Sequence, residues 1–155
     1  MGEQHTPPVT FPAWLVLLAD RIAVICGLKN FEFNSANANL YNDGTESLYW
    51  HSDDEDLFKT RSSYVTIVSL TVGAARSFAY KKKYGDKYSI TLSSGDILVM
   101  TGCFQEHYQH AVPESNSIDP RFNVTFRFLH RHLRDCSKTH STKKLYSGIF
   151  FPDTS

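Results

Sequence analysis

Hydrophobic residues near the beginning of the chain recur at helical spacing, and the segment that they span is bounded by residues typical of helix ends. Pro12 stands near its first turn and Gly27 follows its last, which are the positions these two residues favour. The pattern predicts an amphipathic helix over Phe11 to Cys26, too short and too interrupted by Asp20 and Arg21 to span a bilayer. The side chains expected to face the core are Trp14, Leu15, Leu18, Ile22 and Ile25.

After Gly27 the pattern changes to short runs of β-branched and aromatic residues, separated by residues that favour turns. Asn42-Asp43-Gly44 and Ser93-Ser94-Gly95-Asp96 are strong turn signals of this kind. Seven or eight short strands joined by turns indicate a mainly β domain, either a sandwich or a barrel. The predicted strands are 39–41, 48–51, 64–72, 78–80, 88–92, 97–100, 108–112 and 122–129.

The last predicted strand alternates strictly between apolar and polar residues. Phe122, Val124, Phe126 and Phe128 fall on one face, because successive side chains of a strand point to opposite sides. The other face then carries Arg121, Asn123, Thr125 and Arg127. This strand is therefore expected to have an apolar face and a basic, hydrogen-bonding face.

The composition limits the class of protein but does not identify its function. The chain has 155 residues, of which 41% are hydrophobic and 21% charged, and this is typical of one globular domain. With 16 acidic and 16 basic residues the formal net charge is zero, which argues against a protein that holds nucleic acid by overall charge. We expect a domain over 1–130 with a flexible N-terminus at 1–10. The basic, weakly patterned segment 131–155 is expected to be a loosely held C-terminal extension.

The three cysteines are widely spaced and form no Cys-x-x-Cys pair, so they are expected to be reduced thiols in an intracellular protein.

His51-Ser52-Asp53 is the chemically most informative segment. On a strand, residues two apart point the same way, so His51 and Asp53 can bind one metal ion. Two histidines and one carboxylate on one side of a metal form the open site of iron(II) oxygenases. His107 and His110 are both candidates for the third ligand, and spacing alone does not choose between them.

Arginine forks bind carboxylates bidentately, and Arg121 and Arg127 flank Asn123 on one strand face. Asn39 and Tyr41 are also two apart and offer neutral hydrogen-bonding groups. A metal site, two arginines and polar donors together describe a site for the dicarboxylate 2-oxoglutarate.

These residues occur within a longer series of motifs, and the sequence resembles the AlkB-type iron(II)/2-oxoglutarate dioxygenases. Its motifs are most like those of the eukaryotic subgroup, alkylation-repair homologue three, that acts on single-stranded DNA and RNA. The matching stretches are Phe33-Asn34-Ser35, Asn39-Leu40-Tyr41-Asn42-Asp43-Gly44, Trp50-His51-Ser52-Asp53-Asp54-Glu55, Ser69-Leu70, Gly73-Ala74-Ala75-Arg76-Ser77-Phe78, Gln105, Gln109-His110-Ala111-Val112-Pro113 and Pro120-Arg121-Phe122-Asn123-Val124-Thr125-Phe126-Arg127.

The resemblance implies a double-stranded β-helix, or jelly-roll, core with a supporting N-terminal helix. It implies that His51, Asp53 and His110 bind iron(II), and thereby selects His110. It further implies that 2-oxoglutarate is bound by Asn39, Tyr41, Arg121, Asn123 and Arg127. Glu55 matches the acidic residue of the base pocket, with Asp54 and Arg76 near it. Trp50 is a candidate stacking surface for an unstacked base, with core packing as the alternative.

The activity implied by the resemblance is oxidative demethylation of N-alkylated bases in single-stranded DNA or RNA, with O2 and 2-oxoglutarate consumed and formaldehyde, succinate and CO2 released. The enzyme is expected to be a monomer in the nucleus or cytoplasm. Only about ten residues precede the predicted helix, so the lid that clamps the nucleotide in relatives is expected to be missing. Lys81, Lys82, Lys83 and the basic tail are then the candidates for phosphate contact. The alternatives are a dioxygenase acting on a protein or small molecule, and an inactive fragment or binding module.

Overall fold

The computed structural model describes residues 10–28, 33–54 and 65–128, where the main elements are one long helix and two four-stranded antiparallel sheets. The helices are α1 (Ala13–Ile25) and a single turn, α2 (Phe104–His107). The strands are β1 (Ser35–Tyr41), β2 (Leu48–His51), β3 (Ile67–Gly73), β4 (Arg76–Lys82), β5 (Lys87–Leu92), β6 (Ile97–Met100), β7 (Tyr108–Val112) and β8 (Arg121–Arg127).

The strand order identifies the architecture. The first sheet runs β1-β8-β3-β6 and the second runs β2-β7-β4-β5, with every recorded pairing antiparallel. This order, in which each sheet alternates between strands from early and late in the chain, is that of a jelly roll. The predicted mainly β, double-stranded β-helix core with an N-terminal supporting helix is therefore confirmed.

Helix α1 begins after Pro12 and ends before Gly27, whose φ of 69° permits the chain to leave the helix. The prediction of its span was correct to within two residues at the start and one at the end. The prediction of its buried face was wrong for Trp14 and Ile25, which are 59% and 71% exposed. Because α1 is apolar on most sides, periodicity alone does not single out one face. The small residues Ala19 and Ala23 lie with Ile22 against the sheet and let the helix approach it closely.

The main hydrophobic core lies between α1 and the outer face of the first sheet. Val68, Val124 and Phe126 present apolar side chains to the helix, and Phe126 is completely buried. These residues alternate along β3 and β8 with polar residues that face the second sheet, as the pattern of β8 predicted. A smaller cluster, formed by Ile67, Phe78, Leu92 and Met100, lies between the sheets.

Several sequence predictions fall outside the described ranges. They include residues 1–9 of the predicted N-terminus, the predicted extension 131–155, and Glu55. The predicted strands correspond in order to β1 through β8, whereas the short helix α2 was not predicted. Within the described ranges, no helix combines the length and apolar character needed to cross a bilayer.

Candidate active site

Pairing between β2 and β7 brings the predicted metal ligands together. His51 lies opposite His110 in the register, and their ring centroids are 4.2 Å apart. Asp53 follows two residues after His51, with 3.8 Å between its Oδ1 and His51 Nε2. One ligand atom from each of the three residues lies within 4.8 Å of the other two. A single metal ion therefore needs only small side-chain adjustments to bind all three.

Both histidines present a ring nitrogen that can bind a metal ion. His51 Nδ1 lies 2.7 Å from the carbonyl oxygen of Tyr49, so Nδ1 donates there and Nε2 is the nitrogen available to a metal. The ring of His110 stacks on Phe78 and is 5% exposed. Burial, followed by repulsion from His51, lowers the pKa of His110 to about 4. A neutral imidazole is the form that binds metal.

Asp53 is held from two sides by side chains of other elements. Arg127 Nη2 on β8 donates to Asp53 Oδ2 at 3.1 Å, and the backbone N–H of Asp53 donates to Gln105 Oε1 on α2 at 3.0 Å. Gln105 is 2% exposed and also donates to Met100 Sδ. Gln105 belonged to the matching motifs, but sequence reasoning gave it no role. Its contact with the carboxylate-bearing residue makes it a positioning residue.

Replacing Gln105 with leucine is expected to lower iron(II) affinity about tenfold, because the buried Asp53 N–H loses its acceptor and the carboxylate loses one constraint. Gln105→Glu keeps an oxygen at this position and is expected to restore most of the affinity. Iron(II) titration of both variants checks this. Equal affinity in Gln105→Leu and the unaltered protein would show that Arg127 alone is sufficient to hold Asp53.

Beside the metal ligands, the inner face of the first sheet is lined with polar side chains. Strand β8 pairs with β1 on one side and β3 on the other, so that Arg121 lies opposite Tyr41, and Asn123 lies between Asn39 and Thr71. Cross-strand neighbours share a face of the sheet. The predicted 2-oxoglutarate residues are thus brought together on one continuous surface that ends at the Arg127–Asp53 pair.

Arg121 is the group on this surface that most clearly lacks an anion. It is 2% exposed, and its Nη2 donates to Thr71 Oγ1 at 3.1 Å. Its Nε and Nη1 have no hydrogen-bond partner among the described residues. Burial lowers the pKa of Arg121, and its guanidinium carbon lies 5.3 Å from the centre of the Tyr41 ring. Burying a cation this way is costly, so the arrangement fits a site built for a carboxylate ligand.

Asn123 lies on the same face of the sheet, but its side-chain amide forms hydrogen bonds with other groups of the protein. Its Nδ2 donates to Ser69 Oγ and to the carbonyl oxygen of Leu70, and its Oδ1 accepts from Thr125 Oγ1. These contacts fix β8 against β3. A contact between Asn123 and 2-oxoglutarate stays a prediction that requires one of these hydrogen bonds to be exchanged.

Two predicted substrate residues lie away from the metal ligands. The Trp50 ring packs against Lys81 Nζ at 4.5 Å and Lys87 Nζ at 5.7 Å. These lysines pair with each other across β4 and β5, on the face opposite to that of His110. Asp54 is 52% exposed at its side chain and lies 3.5 Å from Lys83 Nζ. The structure thus places Trp50 on the outer face of the second sheet and Asp54 at its rim.

Arg76 is buried and holds two loops together instead of facing the metal ligands. Its guanidinium donates to the carbonyl oxygens of Asp43 at 3.0 Å, Glu46 at 2.8 Å and Pro113 at 2.8 Å. Asp43 and Glu46 follow β1, and Pro113 follows β7. The predicted contact between Arg76 and substrate would require it to leave these carbonyls.

Replacing Arg76 with methionine is expected to lower the free energy of unfolding by about 3 kcal/mol, because several partly buried carbonyls lose their donor. Arg76→Lys should fall in between, since one ammonium group cannot span the same carbonyls. Chemical denaturation measures both variants. The result expected of a substrate contact would be the reverse: a nearly unchanged free energy of unfolding and a raised KM for the substrate.

The choice between the two candidate histidines is decided by α2. His107 is the last residue of this helix and is exposed, whereas His110 is on β7 and buried. In the described residues, His107 groups with Cys103 and Glu106 rather than with His51. The structure therefore brings His110, not His107, to the predicted iron site.

Comparison with known proteins is consistent with this geometry. The profile described as "2OG-Fe(II) oxygenase superfamily" matches residues 3–127. Alpha-ketoglutarate-dependent dioxygenase alkB homolog 3 of Mus musculus is 38% identical over 127 residues, covering 75% of this chain and 43% of that protein. The Homo sapiens protein of the same name is 40% identical over 106 residues, covering 61% and 36%.

A more distant relative is DNA oxidative demethylase ALKBH2 of Arabidopsis thaliana, which is 29% identical over 127 residues, covering 66% of this chain and 40% of that protein. The chain thus spans less than half the length of these relatives. The donor set of His51, Asp53 and His110 fits iron(II). The buried Arg121, whose Nε and Nη1 have no hydrogen-bond partner among the described residues, fits the carboxylate of 2-oxoglutarate. On this sequence match and this geometry, the chain belongs to the 2OG-Fe(II) oxygenase superfamily, and its sequence is of the AlkB type.

Proposed function

We propose that this protein is an iron(II)/2-oxoglutarate-dependent dioxygenase that demethylates N-alkylated bases in single-stranded DNA or RNA. The observation that carries the proposal is the position of the three ligand atoms, within 4.8 Å of one another, next to the basic face that contains Arg121. The substrate class is supported by the names of the relatives, which are a DNA oxidative demethylase and alkB homologues.

In this function His51, Asp53 and His110 would hold iron(II) on one side and leave its other positions open. The bound iron(II) would supply activation of O2, which is the oxidant, with 2-oxoglutarate as the co-substrate that is oxidised to succinate and CO2. Arg127 holds the Asp53 carboxylate in place, and Gln105 holds the Asp53 backbone N–H. Arg121 would receive the distal carboxylate of 2-oxoglutarate, which determines the orientation of the co-substrate relative to the metal.

An aromatic surface extends from the metal ligands towards the edge of the second sheet. Tyr80 lies opposite His110 in the register, and its ring stacks on Tyr88 at 5.6 Å between centroids. Phe104 stacks on Tyr108 at 5.0 Å. Tyr88 is 55% exposed, so this surface continues from the interior to solvent. Aromatic surfaces accept unstacked bases of any sequence, and we assign the base-binding role to Tyr80, Tyr88 and Tyr108.

Basic side chains at the rim and on the outer face of the second sheet are suited to the phosphate backbone. Lys83 lies at the rim beside Asp54, and Lys81 and Lys87 flank Trp50 on the outer face. A base must leave its stack before its alkyl group can reach the metal, and a single strand lowers that cost. We propose a monomer acting in the nucleus or cytoplasm. The free thiols of Cys26 and Cys103 support a reducing compartment.

The test is a mass-spectrometric demethylation assay with methylated single-stranded and double-stranded DNA and RNA, supplied with iron(II) and 2-oxoglutarate. We expect loss of the methyl group with equimolar succinate and formaldehyde, faster on single strands than on duplexes. Binding of iron and 2-oxoglutarate without demethylation of any of the four would overturn the assignment of the substrate. It would favour a protein or small-molecule substrate, or a fragment that needs further chain for activity.

A further inference from the structure

A second group of metal-binding side chains lies on the opposite side of α2 from the iron ligands. Cys103, Glu106 and His107 each offer one ligand atom, and these atoms lie within 4.8 Å of one another. Residues at positions i, i+3 and i+4 share one face of a helical turn. The turn is closed by the backbone N–H groups of Glu106 and His107, which donate to the carbonyl oxygen of Cys103 at 3.1 and 3.2 Å.

We propose that Cys103, Glu106 and His107 form a second metal site, which binds Zn²⁺. One thiolate, one carboxylate and one imidazole are ligands that zinc accepts, and a water molecule would complete a tetrahedral set. The thiolate favours zinc over the harder ions magnesium and calcium. Binding displaces the thiol proton to solvent.

The separations suit this ion after small side-chain movements. Zinc lies about 2.3 Å from sulfur and about 2.0 Å from nitrogen, so ligand atoms in a tetrahedral site are about 3.5 Å apart. Because the ligand atoms lie within 4.8 Å of one another, they need to approach by at most about 1.3 Å. Glu106 and His107 are exposed and Cys103 is half-buried, so their side chains have room to rotate.

The second site shares no residue with the predicted iron site. Gln105, between Cys103 and Glu106, is buried and contacts the backbone of Asp53, while Glu106 and His107 face solvent. The predicted iron ligands include no sulfur, so a sulfur-containing metal complex would be a signature of the second site. The proposal is independent of the proposed demethylase activity, because it requires only that the domain folds.

Titration of the whole chain with Co²⁺ tests the proposal, since cobalt bound to a thiolate has an intense near-ultraviolet charge-transfer band. We expect the unaltered protein to show this band and Zn²⁺ to displace it. Cys103→Ser should abolish the band, whereas Cys26→Ser and Cys136→Ser should retain it. Absence of the band in the unaltered protein, or its survival in Cys103→Ser, would overturn the proposal.

The other two ligands are tested in the same titration. His107→Gln and Glu106→Gln are expected to weaken Co²⁺ and Zn²⁺ binding at this site by at least about tenfold each. Both residues are on the surface, so both variants should retain the circular dichroism spectrum of the unaltered protein. Asp53→Asn is the matched control in the predicted iron site and should keep the band. Loss of the band in Asp53→Asn, or unchanged affinity in both surface variants, would assign the metal to other residues.

Discussion

Asp53→Ala is expected to abolish succinate formation and to lower iron(II) affinity at least about 100-fold. Asp53 is the one anionic group among His51, Asp53 and His110, and it also pairs with Arg127. Removing it takes away both a metal–oxygen bond and the negative charge that balances the metal. Iron(II) titration and mass-spectrometric detection of succinate measure the two effects separately.

The same substitution has a structural cost that must be separated from the loss of iron. Arg127 loses its carboxylate partner in a largely buried position, which costs about 3 kcal/mol of unfolding free energy. Asp53→Asn retains an oxygen to accept the Arg127 hydrogen bond and should keep most of the stability, but not the iron affinity. The neighbouring Asp54→Asn is the control for iron affinity, because Asp54 is exposed and outside the ligand group. Undiminished iron binding in Asp53→Ala would exclude Asp53 as a ligand.

Arg121→Met is expected to raise the KM for 2-oxoglutarate about 30-fold or more, equivalent to the loss of about 2 kcal/mol from charge-assisted hydrogen bonds. In the protein without its co-substrate, the same change should increase the melting temperature. It replaces a buried guanidinium, of which two nitrogens have no partner among the described residues, with an apolar chain of similar length.

Thermal denaturation with and without 2-oxoglutarate distinguishes these two effects. Ligand binding should stabilise the unaltered protein by mass action and should leave Arg121→Met almost unshifted. Arg121→Lys preserves the positive charge but not the paired N–H donors of the guanidinium group. It should therefore recover only part of the increase in melting temperature that 2-oxoglutarate causes. If 2-oxoglutarate stabilised Arg121→Met as much as the unaltered protein, the distal carboxylate would have to bind elsewhere.

The strands were predictable from sequence because alternation of apolar and polar residues survives in β8 without interruption. The buried face of α1 was not, since Trp14 and Ile25 are as apolar as the residues that are buried. A hydrophobic pattern records which positions tolerate burial. It does not record which of several apolar faces lies closest to a neighbouring sheet.

In the site, the two-residue spacing of His51 and Asp53 was sufficient to predict that their side chains lie close together. Spacing alone could not choose the third ligand, which the family resemblance selected, because helix α2 was not predicted. His107 and His110 were treated as parts of one extended segment, but His107 ends α2. The placement of Trp50 depends on the irregular pairing of β2, where the register shifts between Leu48 and His51. Such an irregularity changes which side chains face inward, and it could not be predicted from the amino-acid sequence.

The polar inner face of the first sheet has a consequence for how the protein tolerates substitution. In most sandwiches the space between sheets supplies the stability, but here the inner face of the first sheet carries buried polar side chains, among them Arg121, Asn123 and Thr71. The larger cluster of apolar side chains lies on the other face of this sheet, under α1. Substitutions on the buried face of α1 should therefore lower the free energy of unfolding, although α1 lies on the other side of the sheet from the candidate active site. Changes on the polar inner face at positions such as Arg121, which lies outside that apolar cluster, should alter what is bound with less loss of stability. This scaffold therefore largely separates the residues open to functional change from those that keep it folded.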